Sequence, residues 1–224
     1  DLKKPSSFNE KIIWLKLNYR ISNANILCDK YMVREIVKSK IGEKYLVPLI
    51  GCYENVDEID FNKLPDSFVL KPNHGSGYIF IIPSKKELRP QQINIIKKRI
   101  ALWMRTDYFR WGKSYEYKGI KRKILCETYL ENTIEKPLLD YKIHCFGGEP
   151  EFIQVDFDRF SNHTRKFYDL NWQAAPFTTF YPLSNRDVSA PDCLDEMLFL
   201  ARRLAEGLIY SRIDFYIYNK KIYF

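Results

Sequence analysis

The stretch from residue 67 to 82 constrains this chain most. Apolar Phe68, Val69 and Leu70 lead into Lys71 and Pro72, then a loop, Asn73-His74-Gly75-Ser76-Gly77, and then a β-branched run from Tyr78 to Ile82. Apolar runs bounded by Pro and Gly predict strand, tight loop, strand. A lysine at the end of a buried strand, followed by two closely spaced glycines, can set one ammonium and several backbone N–H groups around a chain of phosphates. It is not a Walker loop, because there the lysine follows the glycines. Read alone, the same residues also describe an ordinary hairpin whose glycines supply positive φ.

Around this segment the hydrophobic periods alternate between helix and strand. Residues 8–17 predict an amphipathic helix capped by Ser7, residues 29–40 a second helix broken by Gly42, and residues 91–105 a third. Residues 123–130 predict a buried strand. In the second half, residues 141–146 and 151–157 predict a strand pair turning at Gly147-Gly148-Glu149-Pro150, with a further short strand at 165–168. A helix over 194–208 precedes a last hairpin, 212–218 and 221–224, turning at Asn219-Lys220. Antiparallel hairpins with packed helices place the chain in the α+β class. It has no internal repeat and no Gly/Ser linker.

The chain has 224 residues, 46% hydrophobic and 29% charged, which excludes disorder and allows a sizeable core. The five cysteines, Cys28, Cys52, Cys126, Cys145 and Cys193, stand at no zinc or redox spacing and are expected to be reduced, mostly buried thiols. A net charge of +8 favours a polyanionic partner. Nucleotide phosphates, nucleic acid, anionic glycans and a membrane surface all satisfy that. The clusters Lys97-Lys98-Arg99 and Lys121-Arg122-Lys123 read as solvated faces or turns. No apolar run approaches the about 18 residues of a membrane span. The start, Asp1-Leu2-Lys3-Lys4-Pro5, lacks a signal-peptide pattern, so a cytoplasmic protein is expected.

Five short groups recur in order along the chain: Asp29-Lys30, the Lys71 loop, Glu127-Thr128-Tyr129-Leu130, Asp140-Tyr141-Lys142 and Arg212-Ile213-Asp214-Phe215. This series resembles the ATP-grasp superfamily. The phrases FNEKIIWLK, DKYMVRE, FVLKPNHGSG, DYKIHCFGGEPEFIQVD, RKFYDLNW and RIDFY are similar to its TupA-like branch, associated with bacterial teichuronopeptide and capsular polysaccharide clusters. The resemblance covers nearly the whole chain. It implies two α+β lobes with a nucleotide between them: a helical segment at 1–19, a first lobe at 20–126 and a second at 127–224. Lys30 and Lys71 match the lysines that reach the nucleotide phosphates, and Asn73, His74, Gly75, Ser76 and Gly77 match the mobile loop that closes over them. Glu127 to Leu130 match the hinge, where backbone groups of Thr128, Tyr129 and Leu130 would read the adenine edge.

In the second lobe the resemblance places Asp140 on the ribose hydroxyls, Arg212 on an acyl phosphate and Asp214 on Mg²⁺. The residue types suit those tasks, since a hydroxyl pair wants an acceptor, a moving phosphoryl group wants cations such as Lys71 and Arg212, and Mg²⁺ wants hard oxygen ligands. As simple structural residues, Asp140 would be a strand cap, and Arg212 with Asp214 an exposed pair on one strand face. Lys142, Asp156, Arg159 and Arg165, with Asp158 and His163, are expected on the acceptor side of the cleft. The family's second metal carboxylate lies in a Gly-Glu stretch after the final strand. The sequence given stops at Phe224 and begins without Met, so a trimmed chain without that ligand is expected.

The implied activity is that of an ATP-dependent carboxylate–amine ligase using ATP and Mg²⁺, with a uronic acid or amino acid of an anionic glycan as donor or acceptor. The alternative from another class is a glycosyltransferase of a capsule cluster using a sugar nucleotide. A nucleic-acid binder is not expected, because it would need basic strips interleaved with aromatic residues.

Overall fold

A computed structural model describes residues 1–112, 114–131, 138–158 and 162–224. The chain divides into two compact units: residues 1–34 with 48–129, and residues 35–47 with 130–224. Among the described residues no helix is long and apolar enough to cross a membrane.

The first unit opens with α1 (Phe8–Asn18), which Ser7 starts as the sequence suggests. The Ser7 hydroxyl accepts from the Glu10 N–H, while the Glu10 carboxylate accepts from the Ser7 N–H. The helix buries none of its residues, and Phe8, Ile13, Trp14 and Leu17 are exposed. The expected amphipathic stripe is absent because the apolar positions spread around a helix that turns 3.6 residues per cycle. In place of one helix over 29–40 there are two, α2 (Ala24–Cys28) and α3 (Val33–Lys40). Asp29 separates them: its N–H closes α2 on the Asn25 carbonyl, and its carboxylate accepts from the N–H groups of Tyr31 and Met32.

Four antiparallel strands follow: β1 (Leu49–Tyr53), β2 (Phe68–Pro72), β3 (Phe80–Ile82) and, after α4 (Pro90–Arg105) and α5 (Tyr108–Gly112), β4 (Ile124–Thr128). Their order in the sheet is β1-β4-β2-β3. Alternation along β2 sends Phe68 and Leu70 into a core with Ile96 and Ile100 of α4 and Ile124 and Cys126 of β4. Each such large apolar side chain contributes about 1.5–3 kcal/mol on burial. The intervening Val69 and Lys71 therefore face the other way.

The second unit is built on a five-stranded antiparallel sheet: β5 (Asp140–Phe146), β6 (Glu149–Phe157), β7 (Thr164–Tyr168), β8 (Tyr210–Tyr218) and β9 (Lys221–Tyr223), in the order β7-β6-β5-β8-β9. The turn between β8 and β9 holds Asn219 and Lys220 at φ 49 and 60, and that between β5 and β6 holds Gly147 and Gly148 at φ 59 and 90, the left-handed pair that joins two-residue hairpins. One face is apolar, with Ile143, Ile153, Val155, Ile213 and Phe215 buried, and α6 (Leu194–Ala205) supplies Met197, Leu200, Ala201 and Leu204 to the core of this unit. Residues 35–47 join this unit. Val37 is fully buried, the Phe224 N–H donates to the Tyr45 carbonyl at 2.7 Å, and the Tyr45 hydroxyl donates to Glu196 at 2.5 Å.

Candidate functional site

The cationic cluster of the first unit stands on the non-core face of its sheet. Lys71 leaves β2 beside Glu127 of β4, Nζ to Oε2 at 2.5 Å, and Arg34 of α3 approaches the other carboxylate oxygen at 3.3 Å. The Glu127 side chain is 7% exposed and stands in the interior between these two cations. Lys30 reaches the loop itself, donating from Nζ to the Gly75 carbonyl at 2.5 Å. Its pKa is lowered to about 8, first by burial and then by the Lys71 charge nearby. Two ammonium groups thus meet at the base of the glycine-rich loop, an arrangement an anionic ligand relieves.

The loop is fixed at one end and open at the other. Asn73 is fully buried, and its amide is committed within the protein: Nδ2 donates to Asp29 Oδ1 at 2.8 Å and to the Lys121 carbonyl at 2.9 Å, while Oδ1 accepts from the Lys123 N–H at 2.7 Å. The Asn73 side chain thus clamps the start of the loop to Asp29, Lys121 and Lys123. His74 is also turned inward, 3% exposed, with Nε2 at 3.1 Å from the Trp103 carbonyl and its ring edge against Tyr78. Burial and then the Arg122 charge lower its pKa, so it is a neutral ring and not a phosphate cation. Gly75 takes φ 79, and a Cβ there would meet the Tyr108 ring at 2.8 Å. No other residue fits that place without displacing an aromatic side chain. Ser76 and Gly77 form the exposed tip.

At the end of β4 the Thr128 N–H donates to the Pro48 carbonyl at 3.0 Å, so that group is spent on the fold. The division between the two units falls after Tyr129. Leu130 is buried.

In the second unit the charged residues share the face of the sheet opposite the apolar one. The register pairs Asp140 with Asp156 and Tyr216, Lys142 with Gln154 and Asp214, His144 with Arg212, and Asp156 with Arg165. Lys142, 4% exposed at its side chain, has its ammonium against Asp140 and at 3.5 Å from Asp156 and 3.6 Å from Asp214. Arg165 grips Asp156 with two nitrogens, at 2.6 and 3.2 Å, and His163 stands 3.4 Å from the same carboxylate. Burial pushes the Asp156 pKa up, but Arg165 and Lys142 outweigh it and hold the group below its ordinary value. Lys142, Asp156 and Arg165 thus answer one another across the sheet. Arg159 lies outside the described residues. Asp158 pairs with Arg186 at 2.8 Å.

Arg212 and Asp214, two residues apart on β8, form a forked pair at 2.7 and 2.8 Å, and both are only partly covered, at 45% and 39% side-chain exposure. The two parallel contacts make it a stronger pair than a single-contact surface ion pair. Beneath it a neutral chain runs through the sheet: Tyr210 hydroxyl to His144 Nδ1 at 3.0 Å, His144 Nε2 to Gln154 Oε1 at 3.1 Å, and Gln154 Nε2 to Asp156 at 3.0 and 3.1 Å. Because the Gln154 amide donates to the carboxylate, its oxygen accepts from His144 Nε2–H, and Nδ1 accepts from Tyr210. Burial, opposed by the Gln154 hydrogen bond, lowers the His144 pKa and agrees with a neutral ring.

Among the described residues no three His, Cys, Asp or Glu side chains form a group able to hold a metal ion. Asp214 offers one reachable carboxylate. Mg²⁺ keeps several waters and takes one or two carboxylates with phosphate oxygens, so Asp214 fits a site completed by a triphosphate and not a cage of protein ligands. All five cysteines are free, but only Cys126 and Cys145 are fully buried, fewer than the sequence suggests. Burial pushes the thiols of Cys28 and Cys145 up to about 11 and that of Cys126 up to about 12, which removes them as nucleophiles. Sequence reasoning missed Arg34, Gln154 and His144 as parts of these clusters. Only the strand alternation placing His144 two residues beyond Lys142 was there to signal one of them.

A search of curated protein sequences returned no match. Among solved structures, the L-amino acid ligase from Bacillus licheniformis superposes with a TM-score of 0.51 at 13% identity, covering 92% of this chain and 44% of that one. The D-alanine–D-alanine ligase from Bacillus anthracis complexed with ATP gives 0.48 at 14% identity, covering 88% and 51%. The ATP-grasp ligase PsnB complexed with a minimal precursor gives 0.49 at 12%, covering 92% and 52%. The chain spans about half the length of these structures. At such identities the first likeness speaks for the fold. The family model described as TupA-like ATPgrasp matches residues 10–224, nearly the whole chain, and this chain belongs to that family.

Proposed function

We propose that the protein acts as an ATP-dependent carboxylate–amine ligase working through an acyl phosphate. The observation that carries this reading is the meeting of Lys30 and Lys71 at the base of the glycine-rich loop, with Lys30 bonded to the Gly75 carbonyl and its pKa lowered to about 8. Such a pair asks for a polyphosphate. Lys30 and Lys71 would hold the phosphates, with Ser76 and Gly77 at the loop tip closing over them. With the Thr128 N–H bonded to the Pro48 carbonyl, the Thr128 carbonyl and backbone groups of Tyr129 and Leu130 would read the adenine edge. Asp140 would accept from the ribose hydroxyls.

In the first step a carboxylate oxygen of the substrate attacks the γ-phosphorus. The new O–P bond forms as the bond to the β–γ bridging oxygen breaks, and ADP leaves. In the second an amine attacks the acyl carbon, a C–N bond forms, inorganic phosphate departs with the C–O electron pair, and the amine gives up a proton. Arg212 would leave Asp214 to steady the acyl phosphate, and Asp214 would be the protein carboxylate on Mg²⁺, which supplies charge neutralisation at the moving phosphoryl group. We assign the carboxylate and amine to a uronic acid or amino acid of an anionic bacterial surface glycan, acted on in the cytoplasm; this rests on the family resemblance and on the +8 charge.

A thermal-shift screen with ATP, ADP, CTP and UDP-sugars, with and without Mg²⁺, tests the reading, since a ligand of the native state alone raises its stability. ATP is expected to give the largest shift, and Lys71→Ala to remove it. Sugar transfer from a UDP-sugar without ATP would replace the reading with a glycosyltransferase.

A further inference from the structure

The glycine-rich loop packs against a cavity that the phosphate reading does not use. Gly75 accepts from Lys30 at its carbonyl, while its Cα faces the Tyr108 ring, which a Cβ would meet at 2.8 Å. Tyr108 is in turn one wall of a cavity of about 250 Å³ in the first unit. The chain builds it by doubling back. α5 carries Tyr108, Phe109 and Arg110 along one side, a helical turn at Tyr115–Tyr117 follows, and Gly119 at φ 77 brings Ile120 and Arg122 to the other. Buried His74 of the loop belongs to the same lining. Among the described residues neither Lys30 nor Lys71 lines it, so the cavity is distinct from the pair that would hold phosphates.

Three kinds of surface meet there. Tyr108 and Tyr117 stand edge to face with ring centroids 4.8 Å apart, and Phe109 adds a third ring. Lys118, 5.9 Å from the Phe109 ring, and Arg122, which gives one nitrogen to the Met104 carbonyl at 2.8 Å, are cations without a carboxylate partner among the described residues. Asp107, half exposed, touches Arg110 only loosely, at 3.4 Å, and remains an acceptor. A site for a bare anion has no use for Asp107, and a site for an apolar ring has no use for the cations. A ligand that suits all three surfaces has a flat C–H face for the rings, a carboxylate for Lys118 and Arg122, and hydroxyls for Asp107. A cavity of about 250 Å³ lies below the roughly 300–1,000 Å³ of pockets for drug-sized ligands, so one ring is the size it takes. We infer that this cavity binds one hexuronate unit, an acidic sugar, either free or at the end of a chain. A carboxylate answered by two cations is recognised and not activated, so the cavity is a recognition subsite and not the place of phosphoryl transfer. The inference deepens the proposed function by giving its acidic sugar a place, and it rests on that reading for the sugar's part in the reaction.

The test is saturation-transfer NMR titration of the whole chain with glucuronate, its methyl glycoside, glucose and acetate. Glucuronate is expected to bind at least tenfold more tightly than glucose, which lacks the carboxylate, and than acetate, which lacks the ring. Lys118→Gln and Arg122→Gln should each weaken it at least threefold. Arg122→Gln also takes a donor from the Met104 carbonyl and could unfold for that reason, whereas Lys118 is exposed and its variant should fold as wild type does. No transfer to glucuronate, equal binding of acetate, or unaltered affinity in Lys118→Gln would overturn the inference. ATP should leave the glucuronate signal in place; displacement would put the sugar among the phosphate lysines and overturn it too. Binding of the methyl glycoside marks a chain end as the source of the unit, and binding of free glucuronate alone marks the monosaccharide. Failure of the ligase reading would show separately, as wild-type protein that ATP does not stabilise whatever the glucuronate result.

Discussion

Lys30 is expected to give nucleotide binding a distinctive pH dependence. In the free protein its pKa is about 8, lowered chiefly by burial and further by Lys71. A bound triphosphate favours the ammonium and raises that value, so above about pH 8 the complex holds a proton that the free protein lacks. Affinity for ATP is then level below that pH and falls as pH rises through it. Titration calorimetry at about pH 8.5, in buffers of different ionisation enthalpy, should show proton uptake by wild type and none by Lys30→Met; identical uptake by both would remove Lys30 from the phosphates. Lys71→Ala should weaken ATP by roughly 1.5–3 kcal/mol, the value of a charge-assisted hydrogen bond. It leaves Glu127, 7% exposed at its side chain, with Arg34 at 3.3 Å, so the unliganded midpoint should fall modestly as well. A large drop in that midpoint with unaltered affinity would make Lys71 a structural partner of Glu127.

At the scale of elements, what the sequence made legible was what is local. The strands on either side of the glycine-rich loop and the hairpins at Gly147-Gly148 and Asn219-Lys220 follow from neighbouring residues, and they were expected where they stand. β1 was not, because Gly51 interrupts it and its pairing with β4 shifts register between Leu49 and Gly51, so no clean two-residue period survives. The single helix expected over 29–40 split because Asp29 spends its carboxylate on the backbone and on Asn73. That last partner is 44 residues away, and the other Asn73 bonds reach 48 and 50 residues along the chain. Nothing in the neighbourhood of Asn73 announces them. The clamp has a measurable consequence. Asn73→Ala leaves the Asp29 carboxylate and the Lys123 N–H short of partners in the interior, which should cost about 2–3 kcal/mol in urea unfolding without ligand. A variant as stable as wild type but deficient in ATP binding would return Asn73 to the nucleotide.

Across the whole molecule, each unit keeps one buried neutral histidine, His74 in the first and His144 in the second. The two clusters of charge beside them, the lysines around Glu127 and the carboxylates around Lys142, were legible as motifs only through family likeness. Their mutual pairing was not, since it arises from strand register. The histidines tie both units to pH. Each ring has a pKa below its ordinary 6.5, first because burial penalises the imidazolium. The unfolded chain takes up its protons near that ordinary value, while the folded chain takes them up only at lower pH, so in the interval unfolding binds protons. Stability is complete above about pH 6.5 and is lost as the pH falls through the interval toward the depressed values. The carboxylate network does not share this window, because Asp156 is held below its ordinary 3.8. The thermal midpoint should therefore fall between about pH 7.5 and pH 5.5 in wild type. His74→Gln and His144→Gln, each neutral throughout, should flatten part of that fall, and the double variant most of it. An acid-induced fall of the same size in the double variant would place the sensitivity elsewhere and would mean that both rings accept protons in the folded chain as readily as in the unfolded one.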